Sequence, residues 1–148
     1  MRISLFLLAV GVCVISTGVR TQEHTITAVA TVKQLCEGMI TASSDAIFNV
    51  GRDVPSNDEA WLSVHNSALM LAESGNLLMM EGRSIEDEDW MKHAKQLVDV
   101  GTAAFEAAGA HDLDAIIALN AELESSCRTC HEQYHPRYRR RGQDQPDQ

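Results

Sequence analysis

The sequence predicts an all-α protein, an antiparallel up-down-up-down bundle of four helices. Apolar residues recur at spacings of three and four in four separate segments, each roughly 24 residues long and so about 36 Å as a helix. Glycine, proline and acidic residues separate these segments, and connections this short reverse the chain direction between neighbouring helices. No segment alternates between apolar and polar residues as a half-buried strand does. With 45 % apolar residues, the chain can bury a single core.

The first helix is predicted from about Thr25 to Val50, because Gly51 and Pro55 then break the pattern. A stripe of apolar and small residues on one side of this helix is expected to face the core. The stripe consists of Val29, Val32, Cys36, Met39, Ser43, Ala46 and Val50.

The second and third helices have clear start and stop residues. The second is predicted to begin in the polar residues 56–59, which supply an N-cap and first-turn acids, and to run to about Met80 before Gly82. The third opens in the acidic run 86–89 and ends before Gly109. Their stripes are Trp61, Val64, Ala68, Leu71 and Leu78, and then Trp90, Leu97, Val98, Ala104 and Phe105.

The fourth helix is predicted from near Asp112 to Pro136, which cannot continue a helix. Because its apolar seam includes two cysteines, both are expected to face the other helices. The seam consists of Leu113, Ile116, Asn120, Leu123, Cys127, Cys130 and Tyr134.

Residues 127–131 read Cys-Arg-Thr-Cys-His, which is the C-x-x-C-H pattern that attaches a c-type haem. Cys127 and Cys130 can each add to a haem vinyl group, and His131 can place a ring nitrogen on the iron. On a helix these three positions share one face, and that face carries the apolar seam. The pattern therefore predicts one covalently bound haem c inside the bundle core.

Two other kinds of site use a C-x-x-C pair. A thioredoxin-like redox site needs a βαβ setting, which the sequence around residue 127 does not provide. A structural zinc site needs four nitrogen or sulfur ligands, and Cys36 is the only further cysteine in the mature region. Haem attachment is the interpretation that the motif favours.

Residues 1–20 predict a signal peptide, with Arg2 before an apolar run from Ile3 to Ile15 and small residues up to Gly18. A retained membrane anchor is the alternative, because the run is only slightly shorter than the roughly 20 residues that span a bilayer. Cleavage would leave a periplasmic domain at residues 21–138 and a polar tail at 139–148 that is expected to be disordered. Covalent haem is normally installed after export, which agrees with a periplasmic location.

The body of the chain is acidic, with nineteen acids and six bases between Glu23 and Glu132. An acidic surface repels phosphates, so a nucleic acid is not expected as a partner. Four arginines follow Pro136 and are expected to form a solvated tail or to pair with a haem propionate.

Four segments of the sequence together resemble a bacterial branch of the cytochrome c′ group, the four-helix-bundle monohaem cytochromes with C-x-x-C-H near the C-terminus. The segments are residues 31–40 (TVKQLCEGMI), 44–48 (SDAIF), 71–80 (LAESGNLLMM) and 130–134 (CHEQY), and the resemblance covers essentially the whole mature chain. It implies that Cys127 and Cys130 bind haem and that His131 is the proximal iron ligand.

The sequence leaves three alternatives for the ligand on the distal side of the iron. Relatives either leave it free behind an apolar side chain or fill it with a methionine from the first helix, and Cys36 occupies that position here. Met39 lies one turn further along, so the candidates are Met39, Cys36 or no protein ligand. His65 and His93 are expected to be surface or hydrogen-bonded core histidines rather than axial ligands.

These features predict an exported one-electron carrier that docks with redox partner proteins. The alternative is a gas-binding haem protein, in which an open distal position binds nitric oxide or carbon monoxide. No enzymatic activity is expected, because the sequence identifies no acid or base for the distal side. A homodimer is an assembly that the sequence leaves open.

Overall fold

A computed structural model of the protein describes residues 26–135. This range contains helices and turns but no strand, which confirms the all-α fold, and its four helices pack antiparallel as a bundle. The first bundle helix comprises α1 (Val32–Leu35), a π-helical segment (Cys36–Ile40) and α2 (Thr41–Phe48), and it is followed by α3 (Asp58–Leu78), α4 (Glu88–Gly109), α5 (Leu113–Ala118) and α6 (Asn120–Tyr134). The predicted signal peptide, the polar tail and the arginine cluster lie outside the described residues.

The first helix begins later than predicted. Thr31 is its N-cap and forms a capping box, in which the Thr31 hydroxyl accepts from the Gln34 backbone N–H at 3.2 Å and the Thr31 N–H donates to Gln34 Oε1 at 3.0 Å. Residues 26–30, which the apolar spacing included in the helix, therefore precede it, and Val29 is 93 % exposed. The prediction of a helix start near Thr25 was wrong for these residues.

A π-helical turn interrupts this first helix at Cys36–Ile40. The backbone N–H of Thr41 donates to Cys36 O, five residues earlier, and the Thr41 hydroxyl donates to the same carbonyl at 2.9 Å. A π turn is wider than an α turn, so it changes which side chains share a face.

The second and third helices begin and end close to the predicted residues. Asn57 caps α3 by accepting from the Ala60 N–H at 2.9 Å, and Asp87 caps α4 by accepting from the Asp89 N–H at 3.0 Å. Gly82, in the connection, has a φ of 83°, a value that glycine adopts without steric cost.

Arg83 joins the start of the first helix to the end of α3. Its side chain is only 9 % exposed, and its Nε donates to Ala30 O at 2.8 Å while Nη1 donates to Leu77 O at 3.1 Å. These two hydrogen bonds compensate in part for burial of the guanidinium and join the two segments at this end of the bundle.

The fourth helix is not continuous. The Leu119 N–H donates to Ile116 O at 3.1 Å, three residues back, and this tight turn separates α5 from α6. The prediction of one helix from Asp112 onward was wrong at Leu119. The end of α6 at Tyr134 agrees with the prediction, and His135 has the extended backbone that a following proline imposes.

The closest helix pair is α3 and α4, and glycines permit this approach. A Cβ atom on Gly101 would lie 2.6 Å from the Ala72 backbone nitrogen, and one on Gly75 would lie 2.6 Å from Val98 Cγ2. The core around this pair contains fully buried residues, among them Ile47, Leu71, Ile116 and Leu123. The α3–α4 pair is thus the most closely packed part of the bundle, and the other two bundle helices pack against it.

Candidate functional site

A cavity of about 650 Å³ separates the first helix from α6. Residues of all four bundle helices line it, and Leu78, Trp90 and Leu97 provide apolar surface from α3 and α4. Its volume is within the roughly 300–1,000 Å³ that is usual for ligand and cofactor sites. A second cavity of about 430 Å³, at the α2–α3 connection, contains none of the predicted site residues.

All three residues of the haem motif line this cavity. Cys127, Cys130 and His131 lie on α6 and are half-buried, and a fourth predicted residue, Cys36, faces the cavity from the first helix. These three cysteines carry free thiols. Cys36 and Cys127 are 91 positions apart in the sequence, and the fold brings them to opposite walls of one cavity.

The electrostatics of the cavity keep these groups uncharged at neutral pH. Burial raises the pKa of the Cys130 thiol to about 11, and the nearby Cys36 and Cys127 contribute further. Burial is also the main cause of the raised pKa of Cys127 and of Cys36. The pKa of His131 is lowered by burial and then by the neighbouring His135, which favours the neutral imidazole that a metal ligand requires.

Met39 lies outside the cavity lining and packs against the hydrophobic core. In an α-helix Cys36 and Met39 would share a face, but the π turn that begins at Cys36 advances less around the axis per residue. The first-helix residues that line the cavity are instead Val32, Cys36 and Ile40, at intervals of four, together with the polar residues Lys33, Glu37 and Thr41 beside them. The identity of a distal ligand stays a prediction.

The lining has the side-chain chemistry that attachment of a c-type haem requires. One wall carries two thiols and a neutral imidazole, and much of the remaining surface is apolar. Among residues 26–135, no group of three or more His, Cys, Asp or Glu side chains is placed to hold a metal ion directly. This arrangement differs from a structural zinc site, in which four ligands converge on one point.

Two aromatic residues, Trp90 on α4 and Tyr134 on α6, line the end of the cavity near the start of α4. Trp90 is buried, and its Nε1 donates to Leu78 O at 3.0 Å. Tyr134 lies edge-on to Trp90 with ring centroids 5.2 Å apart, and its hydroxyl donates to Asp87 Oδ2 at 2.6 Å. This hydrogen bond is the main cause of the lowered pKa of Asp87, while burial and the same bond raise the pKa of Tyr134.

Two residues beside the cavity had no predicted role there: the Asp87 carboxylate, whose acidic run was interpreted first as a helix start and second as a docking patch for a basic partner, and His93. His93 lines the cavity, and both of its ring nitrogens lie close to polar side chains of α4 and α6. His93 is half-buried and contacts these polar groups, and its position beside the motif could not be read from the pattern. His65 packs against Phe105, with ring centroids 3.9 Å apart, and does not line this cavity.

Comparison of the chain with models of protein families, with curated proteins and with solved structures gave no match. No helix within residues 26–135 is long and apolar enough to cross a membrane. The protein is an all-helical four-helix protein whose C-x-x-C-H residues line a large cavity between the first helix and α6.

Proposed function

We propose that this protein is an exported monohaem c-type cytochrome of the cytochrome c′ group and acts as a one-electron carrier. The observation that supports this proposal is the common wall formed by Cys127, Cys130 and His131 in a cavity of about 650 Å³. A C-x-x-C-H motif on an exposed helix face would not support it, because an exposed haem loses the apolar surroundings that tune its potential.

Each residue of the motif has a defined task in this proposal. Cys127 and Cys130 would hold the haem through thioether bonds, and His131 would bind the iron with a ring nitrogen that burial keeps neutral. The haem supplies the one-electron chemistry when it is bound. The chain supplies orientation through α6 and excludes water with the apolar side chains of Trp90 and Leu97.

The acidic character of the chain supports a role in electron transfer between proteins. The formal net charge of the full sequence is −9, and charge of one sign steers a partner of the opposite sign toward an encounter. Redox partners with a basic docking face are therefore proposed. The predicted signal peptide at residues 1–20 assigns this exchange to the periplasm.

One observation favours the alternative, a gas-binding haem protein. The first-helix wall opposite the motif is lined by Val32, Cys36 and Ile40 together with Lys33, Glu37 and Thr41, and no methionine lines the cavity among the described residues. Without a firmly held sixth ligand, nitric oxide or carbon monoxide could bind the iron. The spin state of the ferric protein separates the two functions, since a carrier with six ligands is low-spin and an open site is high-spin.

Acid-acetone extraction of the exported protein, followed by intact-mass analysis, tests the proposal. We expect the haem to stay with the protein, and Cys127→Ser or Cys130→Ser to leave a single thioether. Cys36→Ser is the matched control, because this third thiol lines the same cavity but lies outside the motif. Haem that passes wholly into the solvent, or a thioether lost in the Cys36 variant instead, would contradict the proposal.

A further inference from the structure

A strip of polar side chains joins the first turns of α4 to the last turns of α6, beside the haem motif. We call it the α4–α6 strip; it consists of Asp87 at the N-cap of α4, Asp89 and His93 on α4, and Thr129, Gln133 and Tyr134 on α6. In its centre, His93 Nε2 lies 3.1 Å from Gln133 Oε1, and His93 Nδ1 lies 3.4 Å from Thr129 Oγ1. These contacts link residues at least 36 positions apart, so they fix one helix against the other.

The orientation of the Gln133 amide follows from its second contact. Gln133 Nε2 donates to Asp89 Oδ2 at 3.3 Å, so the carbonyl oxygen of the amide is the atom that faces His93. An amide oxygen only accepts, and His93 Nε2 is therefore the donor in this pair. The carboxylate, the amide and the imidazole form one connected chain of hydrogen bonds.

The two strip residues that contact His93, Thr129 and Gln133, lie on a different side of α6 from His131, whereas Tyr134 lies on the seam that carries the motif. Thr129 and Gln133 stand two residues before and two residues after His131, and side chains two apart on an α-helix point about 200° apart. The contacts that His93 makes with Thr129 and Gln133 therefore limit the rotation of α6 about its axis. That rotation decides whether the motif residues point into the cavity.

Helix packing does little to restrain α6 on the side that faces the cavity. Its main packing partner is α4, whereas α1 and the π-helical segment make no extensive contact with it. The cavity occupies the space where a helix would otherwise restrain α6 from the opposite direction. The contacts with α4 are therefore the main restraint on its rotation, beside the smaller contacts with α2 and α5.

We propose that His93 and Gln133 are positioning residues that set the rotation of α6 and so direct the His131 imidazole toward the haem iron. This inference rests on the proposed function. Neither residue is assigned a contact with the iron, since both His93 nitrogens already face polar atoms of other side chains. Their effect is exerted through the helix that carries the motif.

The test compares ferric paramagnetic resonance spectra of the full-length exported protein and its variants. Gln133→Met keeps the volume of an exposed side chain and removes both contacts, and His93→Leu removes the imidazole. Gln96→Leu is the matched control, because Gln96 contacts His93 at 3.3 Å from the same helix. His93→Gln restores an N–H donor toward Gln133 and should restore the spectrum.

We expect the single wild-type signal to be lost in Gln133→Met and His93→Leu and replaced by a broadened mixture, because the imidazole then adopts several orientations. The signal should persist in Gln96→Leu. A merely structural role would lower the melting temperature and leave the signal unchanged, and that result would overturn the inference. A wild-type protein without covalent haem would instead overturn the proposed function, so the two failures are distinguishable.

Discussion

Replacement of Gly101 by alanine tests the close packing of α3 on α4. The added methyl group would lie 2.6 Å from the Ala72 backbone nitrogen and 2.8 Å from its Cα. Both are backbone atoms, so α3 itself must shift, and overpacking of this kind costs about 1–3 kcal/mol. Alanine recovers about 0.5–1 kcal/mol through its better helix propensity. The difference leaves a net loss of stability of about 0–2.5 kcal/mol, with a midpoint of about 1 kcal/mol.

Gly38→Ala is the matched control. A Cβ on Gly38 meets no atom within 4 Å, and the residue is exposed. The same substitution should therefore be neutral or stabilise the protein by up to about 1 kcal/mol. Thermal melts followed by circular dichroism measure both variants, and a loss of about 1 kcal/mol lowers the melting temperature of a domain of this size by about 3–6 °C. Equal melting temperatures for the two variants would show that the helices are not as close as described.

Three further predictions concern charge, cofactor and processing. Because the Tyr134 hydroxyl holds the pKa of Asp87 below its usual range, this pair stabilises the protein above the ordinary carboxylate pKa, and the contribution is lost as the pH falls through the lowered value. Asp87→Asn should therefore be less stable than wild type at pH 7 but equal to it in acid, which melts over a pH series would show; a difference independent of pH would contradict this. The haem-free chain should melt at a lower temperature than the haem protein, since the cavity of about 650 Å³ then lacks its apolar content, and equal melting temperatures would place the haem outside the bundle. Intact-mass analysis of periplasmic protein should show cleavage before about Thr21, a position outside the described residues, whereas a full-length membrane-bound product would support a retained anchor.

The parts of the fold that the sequence predicts well depend on local interactions. The N-cap at Asn57 and the stop at Gly82 are set by residues within one turn of the helix end, so their patterns are visible in the sequence. The motif at residues 127–131 is equally local. Its position on the apolar seam of α6 was sufficient to predict that Cys127 and Cys130 face the interior.

The features that the sequence did not predict depend on geometry that an ideal helical period ignores. A prediction from apolar spacing assumes the same number of residues in every helical turn. It therefore extends one regular helix through the π turn at Cys36 and through the tight turn at Leu119. Contacts between distant residues are also hidden from a single sequence. The hydrogen bond from Tyr134 to Asp87 spans 47 residues, and the acidic run that contains Asp87 has a complete local explanation as a helix start.

The π turn has a further consequence for the distal side of the proposed haem. It places Cys36 on the cavity wall and Met39 against the core. Cys36→Ala should therefore change the ferric spin state or the rate of carbon monoxide uptake while the melting temperature changes little. Met39→Ala should instead cost about 1–2 kcal/mol of stability, less than for a fully buried methionine because Met39 is half-buried, and leave the spectrum unchanged.

The two variants together separate three arrangements of the distal side. A high-spin wild type that binds carbon monoxide readily, with little change in either variant, indicates an open site and favours gas binding. A low-spin wild type with an unusually low potential that Cys36→Ala raises indicates a thiolate ligand, because a thiolate donates charge to the ferric iron. A low-spin wild type that becomes high-spin only in Met39→Ala would contradict the described π turn, since Met39 could reach the iron only if residues 36–40 rotated toward the cavity.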